Sequence, residues 1–173
     1  MKECIDSFYV DIIALQEIEN LDSIARLQQL LGEHWAYEKS TTSFYGNLAF
    51  LINTDKIQYD NPYLINNQSE GFATRMPYIL PFSYNSTNFT LINIHYKSDY
   101  GGGDYSDWRK DANDVLYNYI IQNENFIGEN IIILGDFNNV LYNSDEVFEI
   151  FNSEENFIIA DSPIASGSSK YWS

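Results

Sequence analysis

The chain has 173 residues, of which 45% are hydrophobic and 16% aromatic. This composition indicates one folded domain spanning residues 1–173 and excludes a disordered segment or a repeat array. The formal net charge of −16 repels polyanions at long range and argues against a DNA-binding module built on basic patches. A metal-dependent enzyme acting on phosphodiesters is compatible with this charge, because bound cations supply local positive charge.

The sequence also bears on membrane insertion, secretion and disulfide bonding. No apolar run approaches the roughly 20 residues of a membrane helix. The first 15 residues lack the basic-then-apolar order of a signal peptide, because Glu3, Asp6 and Asp11 interrupt them. The single cysteine, Cys4, excludes an internal disulfide framework and a cysteine-based zinc site. The cellular compartment is left open.

Apolar patterning predicts strands and helices that alternate only in part along the chain. The prolines at 77 and 81 place the strand over 78–82 near an edge or bulge of its sheet. The expected elements are a buried strand over 11–15 ending in Gln16 and Glu17, a helix over 20–31, a strand over 45–52 and a loop over 60–71.

The second half continues in the same way. Residues 78–95 are predicted to form a hairpin, which favours mixed sheets covered by helices (an α/β, or α+β, class) over a doubly wound parallel sheet. The remaining elements are a Gly-rich loop over 99–104, a helix over 108–122, a strand over 131–134, a helix over 144–151 and a short strand over 157–160.

The segment 131–139 is the most informative stretch of the sequence. Four apolar residues, 131–134, are typical of a fully buried strand. Gly135 ends the strand, and Asp136 and Asn138 follow it. Because these two residues are two positions apart, their side chains point to the same side of an extended segment and can bind the same ligand. A carboxylate and an amide at a strand end suit a hydrated divalent metal, or a phosphate and its attacking water. The alternative interpretation is an Asx-rich turn without chemistry.

Charged and polar residues also stand at or beside the ends of other predicted strands: Glu17, Arg75 and His95. Phosphoryl chemistry uses such a set. Acids hold a divalent metal, a cationic side chain neutralises developing charge, and a histidine or an acid handles protons. The simpler alternatives are an exposed acid at Glu17, a satisfied core histidine at His95 and a structural ion pair at Arg75.

The order of three motifs resembles the endonuclease/exonuclease/phosphatase family, which has the DNase-I-like fold. The motifs are Asp-Ile-Ile-Ala-Leu-Gln-Glu at 11–17, Asn-Ile-His at 93–95 and Ile-Leu-Gly-Asp-Phe-Asn at 133–138. Arg75-x-Pro77 also matches, and the resemblance covers essentially the whole chain. The segments 95–110 and 147–172 look most similar to bacterial, often secreted, nuclease-like members.

The resemblance implies a DNase-I-like four-layer αββα sandwich and a divalent-metal-dependent phosphodiester hydrolase, in particular an endonuclease. It implies that Glu17, with Asp136, binds Mg²⁺ (or Mn²⁺ or Ca²⁺) and that His95 contacts the scissile phosphate. Asp136 and Asn138 would orient the nucleophile and contact phosphate or metal, and Arg75 would bind substrate. The implied partner is nucleic acid or another phosphodiester, and a monomer is expected.

The sequence departs from the family pattern at both ends. We expect an incomplete sandwich without the first strand, which carries a catalytic Asn, and without the last strands, which carry a further site acid and the Asp–His pair of the general base. His34 has no partner pattern that would replace that histidine. Turnover by this chain is therefore expected to be weak or absent. Two alternatives stay open: a phosphatase or lipid phosphodiesterase of the same fold, and a non-catalytic remnant or binding protein.

Overall fold

The computed structural model describes residues 5, 7, 9–41, 46–65, 70–73, 75–139, 145–153 and 155–161. Within these residues the chain forms two β-sheets and four α-helices, with one 3₁₀ turn at Glu70–Phe72. The strands are β1 (Ile12–Ile18), β2 (Trp35–Lys39), β3 (Asn47–Asn53), β4 (Gln58–Tyr59), β5 (Tyr63–Leu64), β6 (Tyr78–Tyr84), β7 (Thr87–His95) and β8 (Ile131–Asp136). The helices are α1 (Leu21–Leu31), α2 (Ser106–Gln122), α3 (Glu124–Ile127) and α4 (Asp145–Asn152).

The two sheets have different topologies. The first is antiparallel with the strand order β1-β3-β2. The second has the order β4-β6-β7-β8, with β5 also pairing with β6. In this sheet β6 and β7 form an antiparallel hairpin, whereas β7 and β8 run parallel. The carboxyl ends of β7 and β8 therefore lie side by side at one edge, which is where such sheets place functional groups.

Three apolar clusters show how the layers are stacked. Between the sheets, residues of β3 (Leu48, Phe50, Ile52) pack against residues of β6 and β7. The other face of β3 packs against α1, while the other face of β6 and β7 packs against α2 and α4. Each sheet is thus covered by helix on its outer face, and residues 48–52 of β3 are almost fully buried, as expected for a strand covered on both sides.

Most predicted elements are confirmed, including the long helix α2 and the three strands that carry site residues, β1, β7 and β8. The predicted hairpin turns at Asn85 and Ser86, both with positive φ. Pro81 lies opposite Thr90 at the point where β4 and β5 pair with different halves of β6. This partial edge tolerates a residue without a backbone N–H.

Some sequence predictions are wrong. The strand over 131–134 is not fully buried, because β8 is the last strand of its sheet in the described part of the chain and Ile132 is 42% exposed. The strand predicted over 157–160 is irregular chain. Its apolar residue Phe157 packs on the aromatic rings of Tyr117 and Phe151, while Ile158 is 90% exposed. Part of the predicted loop over 60–71 pairs as β5. In the described part of the chain, no helix is long and apolar enough to span a membrane.

Candidate active site

A β-bulge presents Glu17 at the edge of the first sheet. The β1–β3 ladder runs regularly as far as the pair Leu15–Ala49, is interrupted, and resumes at Ile18 opposite Asn47. Glu17 lies in the interruption with φ = 56°, a conformation that non-glycine residues rarely adopt. Bulges redirect side chains next to active sites, and here the bulge turns a carboxylate out of an otherwise apolar strand.

The parallel pairing of β7 and β8 places His95 directly beside Asp136. Backbone pairing continues one residue further, because the N–H of Tyr96 donates to the Asp136 carbonyl at 2.9 Å. Gly135 is required at this point. It has φ = 131°, and a Cβ atom there would stand 2.1 Å from the Ile94 carbonyl oxygen. The glycine therefore permits the close strand approach that brings the two side chains together.

Arg75 is delivered by the 3₁₀ turn before β6. Its N–H donates to the Phe72 carbonyl at 2.7 Å, and Phe72 is fully buried. Gly71 in the same turn lies so close to the Trp108 carbonyl of α2 that a Cβ would collide with it. Gly46 also leaves space for the Arg75 side chain, because a Cβ atom at residue 46 would lie 3.1 Å from Arg75 Cδ.

The side chains of both sheets converge on His95. Its Nε2 lies 3.7 Å from Glu17 Oε1 and 3.9 Å from Asp136 Oδ2. Arg75 Nη1 lies 3.0 Å from each ring nitrogen of His95. The histidine side chain is 2% exposed, whereas Glu17 is 74% and Asp136 52% exposed. The result is a buried imidazole and a guanidinium beneath two carboxylates that face solvent.

The environment favours a neutral imidazole. Burial and, next, the neighbouring Arg75 guanidinium lower the pKa of His95, and the opposing influence of Asp136 and Glu17 is smaller. Burial also lowers the pKa of Arg75, against the same two carboxylates. Arginine starts so far above neutral pH that Arg75 keeps its charge, so it is the permanent cation of the group.

Asn138 completes the group through the turn after β8. Its N–H donates to Asp136 Oδ1 at 2.8 Å, and its Nδ2 donates to the Tyr96 carbonyl at 3.0 Å. Asn138 itself has φ = 50°. Its backbone N–H orients the Asp136 carboxylate, so the Asx turn given as the alternative interpretation is present in these residues. The functional interpretation of the motif stays a prediction.

Two carboxylates with open access to water fit a hydrated divalent ion. Mg²⁺ keeps several waters and is usually held by one or two carboxylates together with substrate phosphate, and Glu17 and Asp136 approach the same His95 nitrogen from opposite sheets. Among the described residues there is no cluster of three or more His, Cys, Asp or Glu side chains suited to enclosing a metal. The donor set therefore suits a mostly hydrated ion and not a closed structural metal site.

Sequence reasoning missed Gln16, Gly46 and Asn93 as neighbours of the site. Gln16 Nε2 donates to Asn93 Oδ1 at 2.8 Å across the two sheets, and Gly46 borders Arg75. The available signal was a polar residue within an apolar strand: Asn93 stands between Ile92 and Ile94. The strand predicted over 45–52 gave no indication that Gly46 would lie beside Arg75, which is distant in the sequence.

The second histidine of the sequence is remote from this group. His34 precedes β2, and its carbonyl accepts from Thr54 at the far end of β3, whereas Glu17 lies near the Asn47 end of that strand. A surface depression of about 190 Å³ at the His34 end is lined by Tyr9, Val10 and Trp35, among others, and contains none of the predicted site residues. In the described part of the chain, the two carboxylates of the site are 74% and 52% exposed.

Comparison with solved structures shows the fold of the endonuclease/exonuclease/phosphatase proteins. The catalytic domain of human Nocturnin with bound sulfate matches with a TM-score of 0.65 and 17% identity, covering 88% of this chain and 62% of that one. D. rerio TDP2 complexed with single-strand DNA product gives 0.60 and 14%, over 88% and 62%. ANGEL2, a 2′,3′-cyclic phosphatase, in complex with adenosine-2′,3′-vanadate gives 0.63 and 19%, over 87% and 46%.

The likeness is one of structure at low sequence identity. The chain spans less than two-thirds of the length of each of these proteins. No protein-family model and no curated protein sequence matches it. The comparison therefore establishes the mixed α/β fold with two sheets, and the chemistry must be argued from the site.

Proposed function

We propose that this chain is part of a DNase-I-like four-layer αββα sandwich that hydrolyses phosphodiesters with a divalent metal, as a nuclease. The observation that carries the proposal is the convergence of Glu17 and Asp136, from different sheets, within 4 Å of one buried histidine nitrogen. Two carboxylates, a guanidinium and an imidazole in one open group match the needs of phosphoryl transfer. The activity, substrates and partners of the whole protein are part of this proposal.

The proposed roles follow from charge and exposure. Glu17 and Asp136 hold Mg²⁺, Mn²⁺ or Ca²⁺, since they are the exposed acids of the group. Such an ion would polarise a phosphoryl oxygen and lower the pKa of a bound water. Arg75 supplies the permanent positive charge for a phosphate oxygen. The neutral imidazole of His95 hydrogen-bonds to the phosphate, and Asn138 keeps the Asp136 carboxylate oriented through its N–H.

The proposal includes weak turnover by this chain. A protein that binds the substrate without hydrolysing it is kept as an alternative. The sequence has two histidines. His95 is buried against Arg75, and His34 lies at the other end of the first sheet. Because His95 is 2% exposed and both its ring nitrogens lie 3.0 Å from Arg75 Nη1, we assign the role of general base to neither histidine. Loss of general-base assistance commonly costs about 10²–10⁴-fold in rate.

The choice of nucleic acid as substrate draws on the comparison proteins. TDP2 is complexed with a single-strand DNA product, and ANGEL2 is described as a 2′,3′-cyclic phosphatase. Both names concern nucleotide phosphate esters, which favours a nucleotide substrate over a lipid headgroup for this fold. A phosphatase acting on a small phosphate ester, or a lipid phosphodiesterase, is the second candidate.

The test is a Mn²⁺ titration followed by electron paramagnetic resonance, paired with a plasmid-nicking assay in Mg²⁺ or Mn²⁺ and a chelator control. Glu17→Gln and Asp136→Asn remove the two acids with little change in shape. Glu33→Gln is the matched control, because Glu33 is an exposed acid at the opposite end of the first sheet. We expect both site variants to weaken Mn²⁺ binding at least tenfold and the control to bind like the wild type.

The assay results separate the candidates. Slow nicking that requires metal and is lost in Glu17→Gln supports the nuclease. Metal binding with release of phosphate from a small ester, but without nicking, supports the phosphatase. Metal binding without turnover on any of these substrates supports the binding protein. Wild-type binding of Mn²⁺ that neither site variant weakens contradicts the proposed metal site altogether.

A further inference from the structure

Two polar residues of the sequence motifs have no part in the proposed chemistry. Gln16 directly precedes Glu17, and Asn93 stands two positions before His95. Asn93 is fully buried, in the interior between the sheets where the neighbouring β7 residue on the same face, Leu91, belongs to an apolar cluster. Burying an amide in such surroundings is costly unless its hydrogen bonds are made, so its partners are informative.

Asn93 joins the two sheets through three hydrogen bonds. Its Oδ1 accepts from Gln16 Nε2 at 2.8 Å. Its Nδ2 donates to the Leu15 carbonyl at 3.1 Å and to the Ala49 carbonyl at 3.3 Å. Because two carbonyl oxygens require the NH₂ group, the orientation of the Asn93 amide is determined, and Gln16 must present its own NH₂ group to Oδ1.

These contacts coincide with the β-bulge that carries Glu17. Leu15 and Ala49 form the last regular pair of β1 and β3 before the ladder is interrupted. Asn93 therefore binds the backbone of both strands at the start of the bulge, and Gln16 within it. The bridge connects to Glu17 through one peptide bond on the first sheet and to His95 through one intervening residue, Ile94, on the second.

We propose that Asn93 and Gln16 are positioning residues that fix the first sheet against the second and so set the separation of Glu17 from His95 and Asp136. The inference rests on the proposed metal-dependent function. Apolar contact between the sheets is non-directional and permits small sliding movements, whereas three directed hydrogen bonds specify one arrangement. A displacement of the bulge would move one metal-binding carboxylate away from the other.

The test compares Asn93→Leu with Thr90→Val on the same strand. Thr90 is 3% exposed, and its Oγ1 donates to the Ile127 carbonyl at 2.6 Å, so Thr90→Val also removes a buried hydrogen bond but one that does not join the sheets. Both variants are expected to unfold at lower urea concentration than the wild type. Only Asn93→Leu is expected to weaken Mn²⁺ binding, by about 10–100-fold, the usual cost of removing a residue that orients a metal ligand.

A second readout needs no metal. Amide hydrogen exchange at Glu17 and Ile18 in the metal-free protein is expected to be faster in Asn93→Leu than in Thr90→Val. Gln16→Met, which loses a single bond of the bridge, is expected to shift both readouts in the same direction by less, and it replaces Asn93→Leu if that variant does not fold.

Equal Mn²⁺ affinity and equal exchange in Asn93→Leu and Thr90→Val would overturn the inference and leave the proposed function standing. If neither Glu17→Gln nor Asp136→Asn weakens Mn²⁺ binding, the proposed function fails instead, and the metal-free exchange comparison still decides whether the bridge orders the bulge.

Discussion

Glu17, Gly135 and Asn138, all at the candidate site, have positive φ angles of 56°, 131° and 50°. Such conformations cost about 1–3 kcal/mol for non-glycine residues and persist where surrounding contacts impose them. At Asn138 the imposing contacts are the bonds to Asp136 and Tyr96. At Glu17 the bulge itself imposes the angle, with Asn93 bonded to the backbone next to it.

Gly135→Ala tests how closely the site depends on the approach of β8 to β7. A Cβ at 135 would lie 2.1 Å from the Ile94 carbonyl oxygen, whereas Gly101, with φ = 95°, has no atom within 4 Å of its Cβ position. We expect Gly101→Ala to lose about 1–3 kcal/mol from backbone strain alone and Gly135→Ala to lose about 1–3 kcal/mol more from the steric conflict. Urea unfolding measures both, and equal losses would contradict the role assigned to Gly135.

At this scale the sequence predicted which residues would meet, but not how they would be held. Glu17, Arg75, His95, Asp136 and Asn138 come together as expected, and their roles stay predictions. Their positions were predictable because strand ends are visible as apolar runs followed by polar residues. The two glycines that allow Arg75 its position were not predictable from the sequence. Gly46 lies against Arg75 and Gly71 against Trp108, so both contacts join distant parts of the chain.

At the scale of elements, the loop between β7 and α2 is anchored by one ion pair. Arg109 is 3% exposed, and its Nη1 and Nη2 donate to the two Asp99 oxygens at 2.7 and 3.2 Å. Nη1 also donates to the Lys97 carbonyl at 3.0 Å. Asp99 Oδ1 further accepts from the Tyr105 N–H. The Gly-rich segment after His95 is thus fixed at both ends instead of being a free loop.

Asp99→Asn is expected to destabilise the protein in a pH-dependent way. The hydrogen bond from Arg109 and then that from the Tyr105 N–H lower the pKa of Asp99 below its ordinary value of 3.8. The unfolded chain therefore binds the proton more readily, and the stabilisation is full above about pH 4 and is lost as the pH falls through the folded-state pKa. We expect a loss of about 1–2 kcal/mol at pH 7, since Asp99 is half exposed.

The measurement for Asp99→Asn is thermal unfolding between pH 2.5 and 7. The gap between wild type and variant should close toward the acid end. Lys110, whose Nζ lies 3.4 Å from Asp114 in an exposed pair, offers the control Asp114→Asn, for which a loss near zero is expected. A gap between wild type and Asp99→Asn that stays constant down to pH 2.5 would show that the ion pair does not provide the stabilisation.

Element prediction succeeded where periodicity was strong and failed where pairing was decided by tertiary contacts. The strand β2, Trp35–Lys39, was missed because Glu38 and Lys39 make it half polar, although it pairs with β3 along its whole length. The short strand β5 depends on β6 as partner. In the apolar run near Phe157, Phe157 packs on helices and Ile158 is exposed, and a short apolar run alone cannot distinguish this arrangement from a strand.

At the scale of the whole molecule, two sheets covered by helices followed from the order of elements, whereas the strand order β1-β3-β2 did not. The order requires β1 and β2 to flank a strand that follows both in sequence. Residues 48–52 of β3 form an uninterrupted apolar run, which indicates that both faces of the strand are covered but not which strands pair with its edges. That central position brings the Asn47 end of β3 next to the bulge at Glu17.

The excess of acidic residues has a consequence for substrate binding. The chain carries 9 Lys and Arg residues against 25 Asp and Glu residues. Among the described residues, Arg75 is the cation that contacts the predicted site, while Arg109 and Lys110 are paired with aspartates. On the proposed function, a single-stranded nucleic acid would be attracted by Arg75 and by the proposed metal ion, and repelled by the net negative charge of the protein.

We expect the affinity for a labelled single-stranded oligonucleotide to depend weakly on NaCl at constant Mg²⁺. One phosphate contact through Arg75 predicts a slope of log K against log[salt] of about −0.7. Screening of the net negative charge acts in the opposite direction, because the Debye length is about 10 Å at 0.1 M salt. Fluorescence anisotropy between 20 and 200 mM NaCl gives the slope, and Arg75→Gln should move it to zero or above. A slope steeper than about −2 would contradict this expectation, because it would mean that several cationic residues contact the nucleic acid. Those residues would have to lie outside the group around Arg75.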